Sequence, residues 1–178
     1  LAVRSGRQTY GHRFHHPESL YIAEPEAYGP LLETEGMVVA DFAARREAVR
    51  AQVLAAGVEL GGHAIIDDAL LDEVSSMVEW PVAVAGNFEE AFLEVPPEAL
   101  ISTMKANQKY FHVVDEEERL MPHFITMSNV DSRDIDVVRQ GNERVIRPRL
   151  ADAEFFCNQD RKLKLDSRIE KLKTILFQ

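Results

Sequence analysis

The sequence has little that could hold it together covalently or anchor it in a membrane. Its 178 residues include one cysteine, Cys157, so no intrachain disulfide is possible. No apolar run approaches the roughly 20 residues that span a bilayer, and no basic stretch followed by an apolar stretch predicts a signal peptide. A single cysteine suits a reducing compartment. We therefore expect a cytoplasmic protein without membrane contact.

The motifs of several enzyme classes are also missing. The sequence contains neither G-x-x-x-x-G-K-[ST] nor G-x-G-x-x-G, so no phosphate-binding loop is indicated. It has no G-x-S-x-G nucleophile elbow. Cys157 directly follows two phenylalanines, which favours a buried structural thiol over a nucleophile. Paired carboxylates fall in predicted turns and caps, where nothing marks an acid–base pair. No catalytic residue is predicted.

Positive charge is scarce in most of the chain and concentrated at its end. Residues 1–138 hold 10 Lys and Arg against 24 Asp and Glu, whereas residues 139–178 hold 10 against 6. The net charge is therefore −14 in the first part and +4 in the second. An acidic body discourages general attraction to nucleic acid. The basic final quarter leaves room for a local face that contacts phosphates.

The balance of residue types is that of a globular domain. Hydrophobic residues make up 46% and charged residues 28% of the chain, and this length is typical of one domain. The sequence begins with Leu1 rather than Met and ends inside a helix-like pattern. We expect it to be an internal piece of a longer protein.

Hydrophobic periodicity predicts short strands and helices in mixed order. Residues 8–16 alternate with a period of two, which predicts a strand that Pro17 ends. Helices are predicted over 24–35, from Asp41 to Gly61, from Asp67 or Asp68 to Trp80, and from Pro97 to Gln108. Further strands are predicted at 37–40, 81–85, 110–114 and 124–130. The last two read as a hairpin, and Gly86-Asn87 reads as a turn.

Spacing also predicts which side chains form the core. The two longer helices present apolar faces at helical spacing, made of Phe42, Val49, Val53 and Ala56 in one and of Leu70, Leu71, Val74 and Val78 in the other. From Asp134 onward the pattern is helical, with interruptions at Gly141-Asn142 and Pro148 that predict two or three helices. The predicted fold class is mixed α/β (α+β), with short-stranded sheets flanked by helices and a helical C-terminal part.

Three of the six histidines lie in the stretch "GHRFHHPE" and raise the question of a metal site. His12 and His16 have the i, i+4 spacing of zinc-binding helices, but Phe14 and Pro17 do not suit a helix. On a strand, His12 and His16 would share one face and His15 would point to the other. A metal site would still need remote ligands that the sequence does not identify. Structural or hydrogen-bonding histidines are the favoured interpretation, and no metal is predicted.

Two basic groups are candidates for contact with phosphates. Lys105 and Lys109 are spaced i, i+4 in "TMKANQKYF". Arg139, Arg144, Arg147 and Arg149 lie within eleven residues and include a single acidic neighbour, Glu143. Guanidinium groups bind phosphate oxygens in pairs. The alternative is that these arginines pair with Asp152, Glu154 and Asp160 and hold helices together. Arg13 in the opening stretch is a weaker candidate.

Several long stretches together resemble one protein family. They are "TYGHRFHHPE", "EVSSMVEWPVAVAGNFEEAFLEVPPEALISTMKANQKYF", "FITMSNVDSRD" and "GNERVIRPRLADAEFFCNQDRK". In this order, from about Thr9 to Gln178, they resemble the β subunit of the bacterial two-subunit glycyl-tRNA synthetase. One departure is His112-Val113 after "QKYF", where the family usually has Pro before Val. This changes a residue at the entry to a strand.

The resemblance implies a role in a tRNA ligase. In that family the holoenzyme joins glycine to tRNA(Gly) with ATP and Mg²⁺, the α subunit carries the class II active site, and the assembly is α2β2. The β subunit serves tRNA recognition and charging. Residues 1–133 would form a B3/B4-like domain, and residues 134–178 would lead towards an HD-like helical domain. The expected partners are the α subunit and tRNA(Gly), with no cofactor in this segment.

The resemblance supplies no catalytic residues, and two alternatives to tRNA positioning stay open. One is a hydrolase domain, either metal-dependent through the histidines or acting on mischarged tRNA. Glycine is the smallest amino acid, so a pocket can exclude larger ones by size, which makes editing less necessary. The other is a structural spacer. The residues we expect to contact RNA or a neighbouring domain are Lys105, Lys109, Arg139, Arg144, Arg147, Arg149 and Arg13.

Overall fold

A small N-terminal unit begins the fold. The structure, a computed structural model, describes residues 5–162. Strands β1 (Gln8–Tyr10) and β2 (Ser19–Tyr21) form an antiparallel pair in which Thr9 lies opposite Leu20. A 3₁₀ turn, Pro25–Ala27, then leads into helix α1, Tyr28–Thr34. This agrees with the helix predicted over 24–35. Leu20 and Leu32 are the buried apolar residues of this unit.

The main sheet has four antiparallel strands. They are β3 (His63–Ala64), β4 (Val82–Asn87), β5 (Phe111–Val114) and β6 (Leu120–Ser128), in the order β3-β5-β6-β4. The predicted hairpin is confirmed as β5 and β6, joined by a charged turn. In that turn Asp115 accepts the backbone N–H groups of Glu117 and Arg119.

Two helices cover the first face of this sheet. Helix α2, Phe42–Glu59, begins at Asp41, whose carboxylate accepts the N–H of Ala44 at 2.7 Å. Helix α3, Asp68–Met77, begins at Asp67, which accepts the N–H of Leu70 at 2.9 Å. Both caps satisfy N–H groups that have no partner inside a helix. The first core contains the predicted side chains Val49, Val53, Ala56, Leu70, Leu71, Val74 and Val78.

Two further helices cover the opposite face. Helix α4, Pro97–Thr103, starts with proline in its first turn and continues into one turn of π-helix, Met104–Gln108. Helix α5 spans Ile135–Lys162. They enclose a second core with a 3₁₀ turn at Glu90–Glu94. This core contains Phe88, Val95, Leu100, Met104, Tyr110, Phe124, Ile146 and Leu150, with Cys157 packed against it as a partly buried thiol.

Four local predictions are wrong. The first strand ends at Tyr10, because the chain from Gly11 onward turns to pack against Gly36. Residues 37–40 are not a strand, since Met37 has a φ of 55° and no sheet partner. The turn predicted at residues 86–87 is instead the end of β4, paired with β6. Phe42 is 42% exposed and contacts Arg45 rather than the core.

The C-terminal part also differs from the prediction. Over the described residues it is one helix of 28 residues, with neither Gly141-Asn142 nor Pro148 ending it. Pro148 faces solvent, where water can bind the carbonyl group that the missing N–H leaves free. Ile146 and Leu150 on either side are fully buried, and their packing outweighs the cost of the proline. The predicted helical pattern after residue 162 lies outside the described residues.

The fold class is confirmed as mixed α/β. The described residues form five α-helices and two small antiparallel sheets. Side chains of α5 complete the second core, and the domain boundary predicted at 133/134 stays a prediction. In the described part of the chain, no helix combines the length and the apolar character that crossing a bilayer requires.

Candidate functional site

The opening histidines organise a tight loop rather than a strand. His12 is fully buried, and its N–H donates to the carbonyl of Gly36 at 2.6 Å. Its Nδ1 accepts the backbone N–H groups of Phe14 and His15 at 3.2 and 3.3 Å. The carbonyl of His12 accepts the N–H of His16 at 2.8 Å. The prediction that His12 and His16 share a strand face is therefore wrong.

The same loop fastens the N-terminal unit to the main sheet. Nε2 of His15 accepts the backbone N–H of Asp131 at 3.0 Å, across 116 positions of the chain. Its ring also lies 4.7 Å from that of His12, centroid to centroid. His12 Nδ1 and His15 Nε2 therefore have structural roles, whereas His12 Nε2 is buried without a hydrogen-bond partner in the described part of the chain. Within residues 5–162, no group of three or more His, Cys, Asp or Glu side chains could hold a metal ion.

Lys105 and Lys109 form two ion pairs across one cleft. Lys105 Nζ lies 2.8 Å from Asp67 Oδ2, and Lys109 Nζ lies 2.9 Å from Glu73 Oε1. The π-helical turn therefore connects to α3, and Lys109 closes it in the left-handed region with a φ of 60°. The cleft has a volume of about 550 Å³, and Glu98 adds a third carboxylate to its lining. Both lysines are paired with acids.

Electrostatics around this cleft follow from these contacts. The hydrogen bond from Lys105, reinforced by the N–H of Leu70, lowers the pKa of Asp67 below its ordinary 3.8. Burial, and to a lesser extent the charge of Lys105, lowers the pKa of His112 below its ordinary 6.5. His112 is only 9% exposed in the middle of the sheet. These shifts favour the charged form of the Asp67 carboxylate and the neutral form of the His112 imidazole.

Of the four candidate arginines on α5, two are paired. Arg147 Nε donates to Glu89 Oε1 at 2.5 Å and connects α5 to the 3₁₀ turn. Arg139 pairs with Asp136 at 3.0 Å, one turn earlier in the same helix. These acids are not the ones that the sequence suggested as partners. Only the Arg147 pair joins α5 to another element, whereas the Arg139 pair lies within α5.

The other two candidate arginines, Arg144 and Arg149, are exposed, as is Arg161 near the end of α5. Within residues 5–162, no hydrogen bond or ion pair involves the side chain of Arg144 or Arg149. A helix turns about 100° per residue, so these two side chains point roughly 140° apart. Arg144 faces away from the buried stripe of Ile146 and Leu150. Arg13 is also exposed, and its guanidinium carbon lies 5.8 Å from the ring centroid of Phe14.

The predicted site residues therefore do not form one site. No ion pair or hydrogen bond in the described part of the chain joins the two lysines to the arginines. Sequence reasoning missed the acids that engage the cations, which are Asp67, Glu73 and Glu89. Asp67 was predicted only as a helix cap. Its second role has no local signal, because Lys105 follows it by 38 positions.

Comparisons with known proteins give one consistent result. The family model described as Glycyl-tRNA synthetase beta subunit matches residues 1–178. The chain is 55% identical to the glycine–tRNA ligase beta subunit of Hahella chejuensis over 178 residues. It is 55% identical to that of Marinobacter nauticus over 179 residues and 52% identical to that of Pseudomonas entomophila over 178.

These alignments cover 100% of this chain and 26% of each relative. The chain thus spans about a quarter of the length of the curated relatives it matches. The match runs through every stretch that suggested the resemblance, including the histidine loop, the lysine cleft and the arginines of α5. The chain belongs to the glycyl-tRNA synthetase beta subunit family.

Proposed function

We propose that this chain is the part of a glycine–tRNA ligase beta subunit that positions tRNA(Gly) and supports assembly with the α subunit. The ligase attaches glycine to tRNA(Gly) with ATP in the cytoplasm, as a tetramer of two α and two β subunits. The sheet with its flanking helices would be the B3/B4-like module of the subunit. Membership of the family along the whole chain supports this proposal.

The observation that carries the proposed RNA contact is the exposure of Arg144 and Arg149 on α5, two candidate cations without an acidic partner in the described part of the chain. Arg144 and Arg149 make no ion pair within residues 5–162, whereas Arg147 and Arg139 do. An unpaired guanidinium can bind a phosphate without first losing a protein partner. Residues 139–178 have a net charge of +4, in contrast to the acidic remainder. We therefore rank Arg144 and Arg149 first among the candidates.

The other candidates rank lower for stated reasons. Lys105, Lys109 and Arg147 would have to give up a carboxylate at 2.5 to 2.9 Å before they could bind phosphate. Arg139 is half-buried and paired within its own helix. Arg13 is exposed and lies in the N-terminal loop beside the ring of Phe14, not on α5.

The proposal places the chemical step on the α subunit. The described residues carry no phosphate-binding loop and no group of acidic and histidine side chains that could hold Mg²⁺. In this proposal ATP and Mg²⁺ bind to the α subunit, as the family resemblance implies, and no step is routed through this chain. The metal-dependent form of the hydrolase alternative would need several histidine nitrogens directed at one ion. His12 Nδ1 and His15 Nε2 accept backbone N–H groups instead, and His12 Nε2 is buried without a hydrogen-bond partner.

The test is charge reversal in the full-length β subunit combined with α. We expect Arg144→Glu to weaken tRNA(Gly) binding and to raise the KM for tRNA, while kcat at saturating tRNA stays near that of the wild type. Each lost phosphate contact should reduce the slope of log K against log salt concentration by about 0.7–0.9. Filter binding across a salt series measures this.

Arg133→Glu is the matched control, because it makes the same change of charge at an exposed arginine outside α5 whose side chain makes no ion pair within residues 5–162. An equal loss in both variants would show a general charge effect and contradict the proposed site. Unchanged tRNA affinity and charging in Arg144→Glu and Arg149→Glu, with an intact fold, would favour the structural spacer. The ion pairs Lys105–Asp67, Lys109–Glu73 and Arg147–Glu89 support that second candidate.

A further inference from the structure

The last part of α5 exposes two adjacent phenylalanines. Phe155 is 57% exposed and Phe156 is 63% exposed. Their rings contact each other edge to face, with the centroids 5.6 Å apart and the ring planes at 73°. A phenylalanine side chain buries about 150–250 Å² when it is covered, so the two rings leave a sizeable apolar area in water. We call these two side chains the α5 pair.

The α5 pair cannot be buried in the second core. Helix α5 packs on that core through Ile146 and Leu150, which are fully buried, and through Cys157. A helix turns about 100° per residue, so Cys157 lies about 20° from Leu150 around the axis, whereas Phe155 and Phe156 lie about 140° and about 120° from it on either side. A rotation of α5 that covered the pair would therefore expose the buried side chains.

The segment that carries the α5 pair has little support within the described part of the chain. None of the side chains of residues 151–162 is fully buried, and only Ala153, Cys157 and Gln159 are partly buried. Twelve helical residues extend about 18 Å, and a helix of that length is marginal in water without tertiary packing. A neighbour that packs on the α5 pair would supply this packing.

The charges beside the α5 pair favour a protein surface over RNA. Residues 151–162 hold three acidic and two basic side chains, and Glu154 directly precedes Phe155. Rings on which bases stack are accompanied by cations that attract the phosphates. Arg149, the nearest proposed phosphate ligand, lies about two turns earlier, and Asp152 lies between it and the pair. The α5 pair is thus suited to an apolar protein partner.

The size of the α5 pair favours a partner that is covalently tethered. Two phenylalanines bury about 300–500 Å² together, which is less than the roughly 800 Å² per partner of a stable interface between separate proteins. A tether gives a neighbouring segment an effective concentration of about 1 mM, so it can dock on a smaller area. The curated relatives contain such polypeptide, because this chain covers only 26% of their length.

We propose that the α5 pair is the docking site for another part of the same β subunit, outside these 178 residues, which covers both rings with an apolar surface. Helix α5 then joins the second core to that part of the subunit. The inference goes beyond the proposed function, since it concerns how the subunit is held together and requires no tRNA.

The first test is photochemical cross-linking in the full-length β subunit, alone and assembled with α. Phe155 or Phe156 is replaced by p-benzoylphenylalanine, which keeps an aromatic ring at the position. We expect cross-links to β-subunit peptides outside residues 1–178, in a product with the mass of one β chain, whether or not α is present. The same replacement at Phe14, which is 70% exposed in the N-terminal loop, is the control and should not link to these peptides.

Four cross-linking results would overturn the inference. They are links only to the α subunit, only to a second β subunit, only to tRNA(Gly), or only to residues 1–178. Mixing unlabelled β with ¹⁵N-labelled β separates a second copy from the same chain, because a link between copies joins peptides of different mass.

The second test is hydrogen exchange in the full-length β subunit. Residues 151–162 should be protected in the wild type. Phe155→Ala/Phe156→Ala should speed their exchange by about tenfold or more, because alanine favours the helix but removes the packing that opposes local opening. Phe14→Ala is the matched control and should leave exchange in this segment unchanged.

Unprotected amides at residues 151–162 of the wild type, or unchanged exchange in Phe155→Ala/Phe156→Ala, would contradict the docking site. The wild-type measurement and the cross-links decide the matter even if the alanine variant does not fold.

Discussion

Lys105 shows how the surroundings of a single side chain change its interpretation. In the sequence it is a cation without an acidic neighbour, and in the structure it lies 2.8 Å from Asp67. Both groups are about one-third exposed, so the pair contributes at most about 1 kcal/mol to stability. It is nevertheless enough to make the lysine a less available phosphate ligand. Arg144 and Arg149 have no such partner within residues 5–162.

His112 gives a prediction about pH at this scale. Because burial lowers its pKa below 6.5, the folded chain binds fewer protons than the unfolded chain near that pH. The folded state keeps its full stability above the pKa of the histidine in the unfolded chain, about 6.5. It loses stability as the pH falls towards the lower pKa that His112 has in the folded chain. We expect His112→Gln to show a smaller fall in unfolding free energy than the wild type between about pH 7 and pH 5. Urea unfolding across this range measures it.

His123 provides the comparison for this experiment. Its pKa is also lowered, mainly by burial and against the opposing charge of Glu90. Adding His123→Gln to His112→Gln should therefore flatten the pH dependence further. Identical slopes for the wild type and His112→Gln would show that burial of His112 does not affect stability over this range.

The two elements that differ most from their predicted form are the opening loop and α5. The period-two pattern of Tyr10, His12 and Phe14 indicated a strand. The backbone N–H groups of this stretch bind His12 Nδ1 and the carbonyl of Gly36 rather than a neighbouring strand. In α5, Asn142 does not form a turn. It accepts the hydroxyl of Tyr110 at 2.7 Å and donates to the carbonyl of Val138.

Pro148 gives a prediction for α5. Alanine at this position restores an N–H group that can bind the carbonyl of Arg144 in the preceding turn. We expect Pro148→Ala to raise the free energy of unfolding by about 1–3 kcal/mol, since proline inside a helix costs about 3 kcal/mol. Urea unfolding of the chain measures the change. The helix is already continuous, so no change of fold is expected.

Pro97→Ala is the control for this change. Pro97 occupies the first turn of α4, where its missing N–H would have no partner in the helix. Its replacement should change stability little. If Pro148→Ala were no more stabilising than Pro97→Ala, the hydrogen bond lost at Pro148 would be fully compensated in the native helix.

At the scale of the whole molecule, one sheet separates two cores. Phe111, Val113 and Ile125 face α2 and α3, while Tyr110 and Phe124 face the side covered by α4 and α5. The rings of Tyr110 and Phe124 stack 4.5 Å apart. Burial raises the pKa of Tyr110 to about 12, so its hydroxyl stays protonated and donates to Asn142. The second core thus joins α5 to the sheet.

Leu150 tests this connection and the predicted boundary at 133/134. It is fully buried, so Leu150→Ala should lower the free energy of unfolding by about 2–5 kcal/mol. The exposed Val145 is the matched position on the same helix, and Val145→Ala should change stability by about 0.5 kcal/mol or less. Hydrogen exchange should show faster exchange in both α5 and the sheet. Faster exchange in α5 alone would indicate two independent domains.

The fold was largely predictable because its elements depend on local rules. Spacing and residue type predict the helix caps Asp41 and Asp67, the core faces of α2 and α3, Pro97 in a first turn and the β5–β6 hairpin. The errors at residues 37–40 and at Pro148 have a common cause. Tertiary packing there overrides a local preference that is worth only a few kcal/mol.

The family, the mixed α/β class and the uneven distribution of charge follow from the amino-acid sequence, because each is a property of residue order and composition. Which cations remain available depends on tertiary contacts. Asp67 and Glu73 neutralise Lys105 and Lys109, and Glu89 engages Arg147 from 58 positions away. Ion pairing acts over a few ångströms in space, and distance along the chain does not reveal it. The exposure of Tyr10 and Tyr21 also depends on the tertiary structure, because strand register and burial together decide which side chains meet solvent.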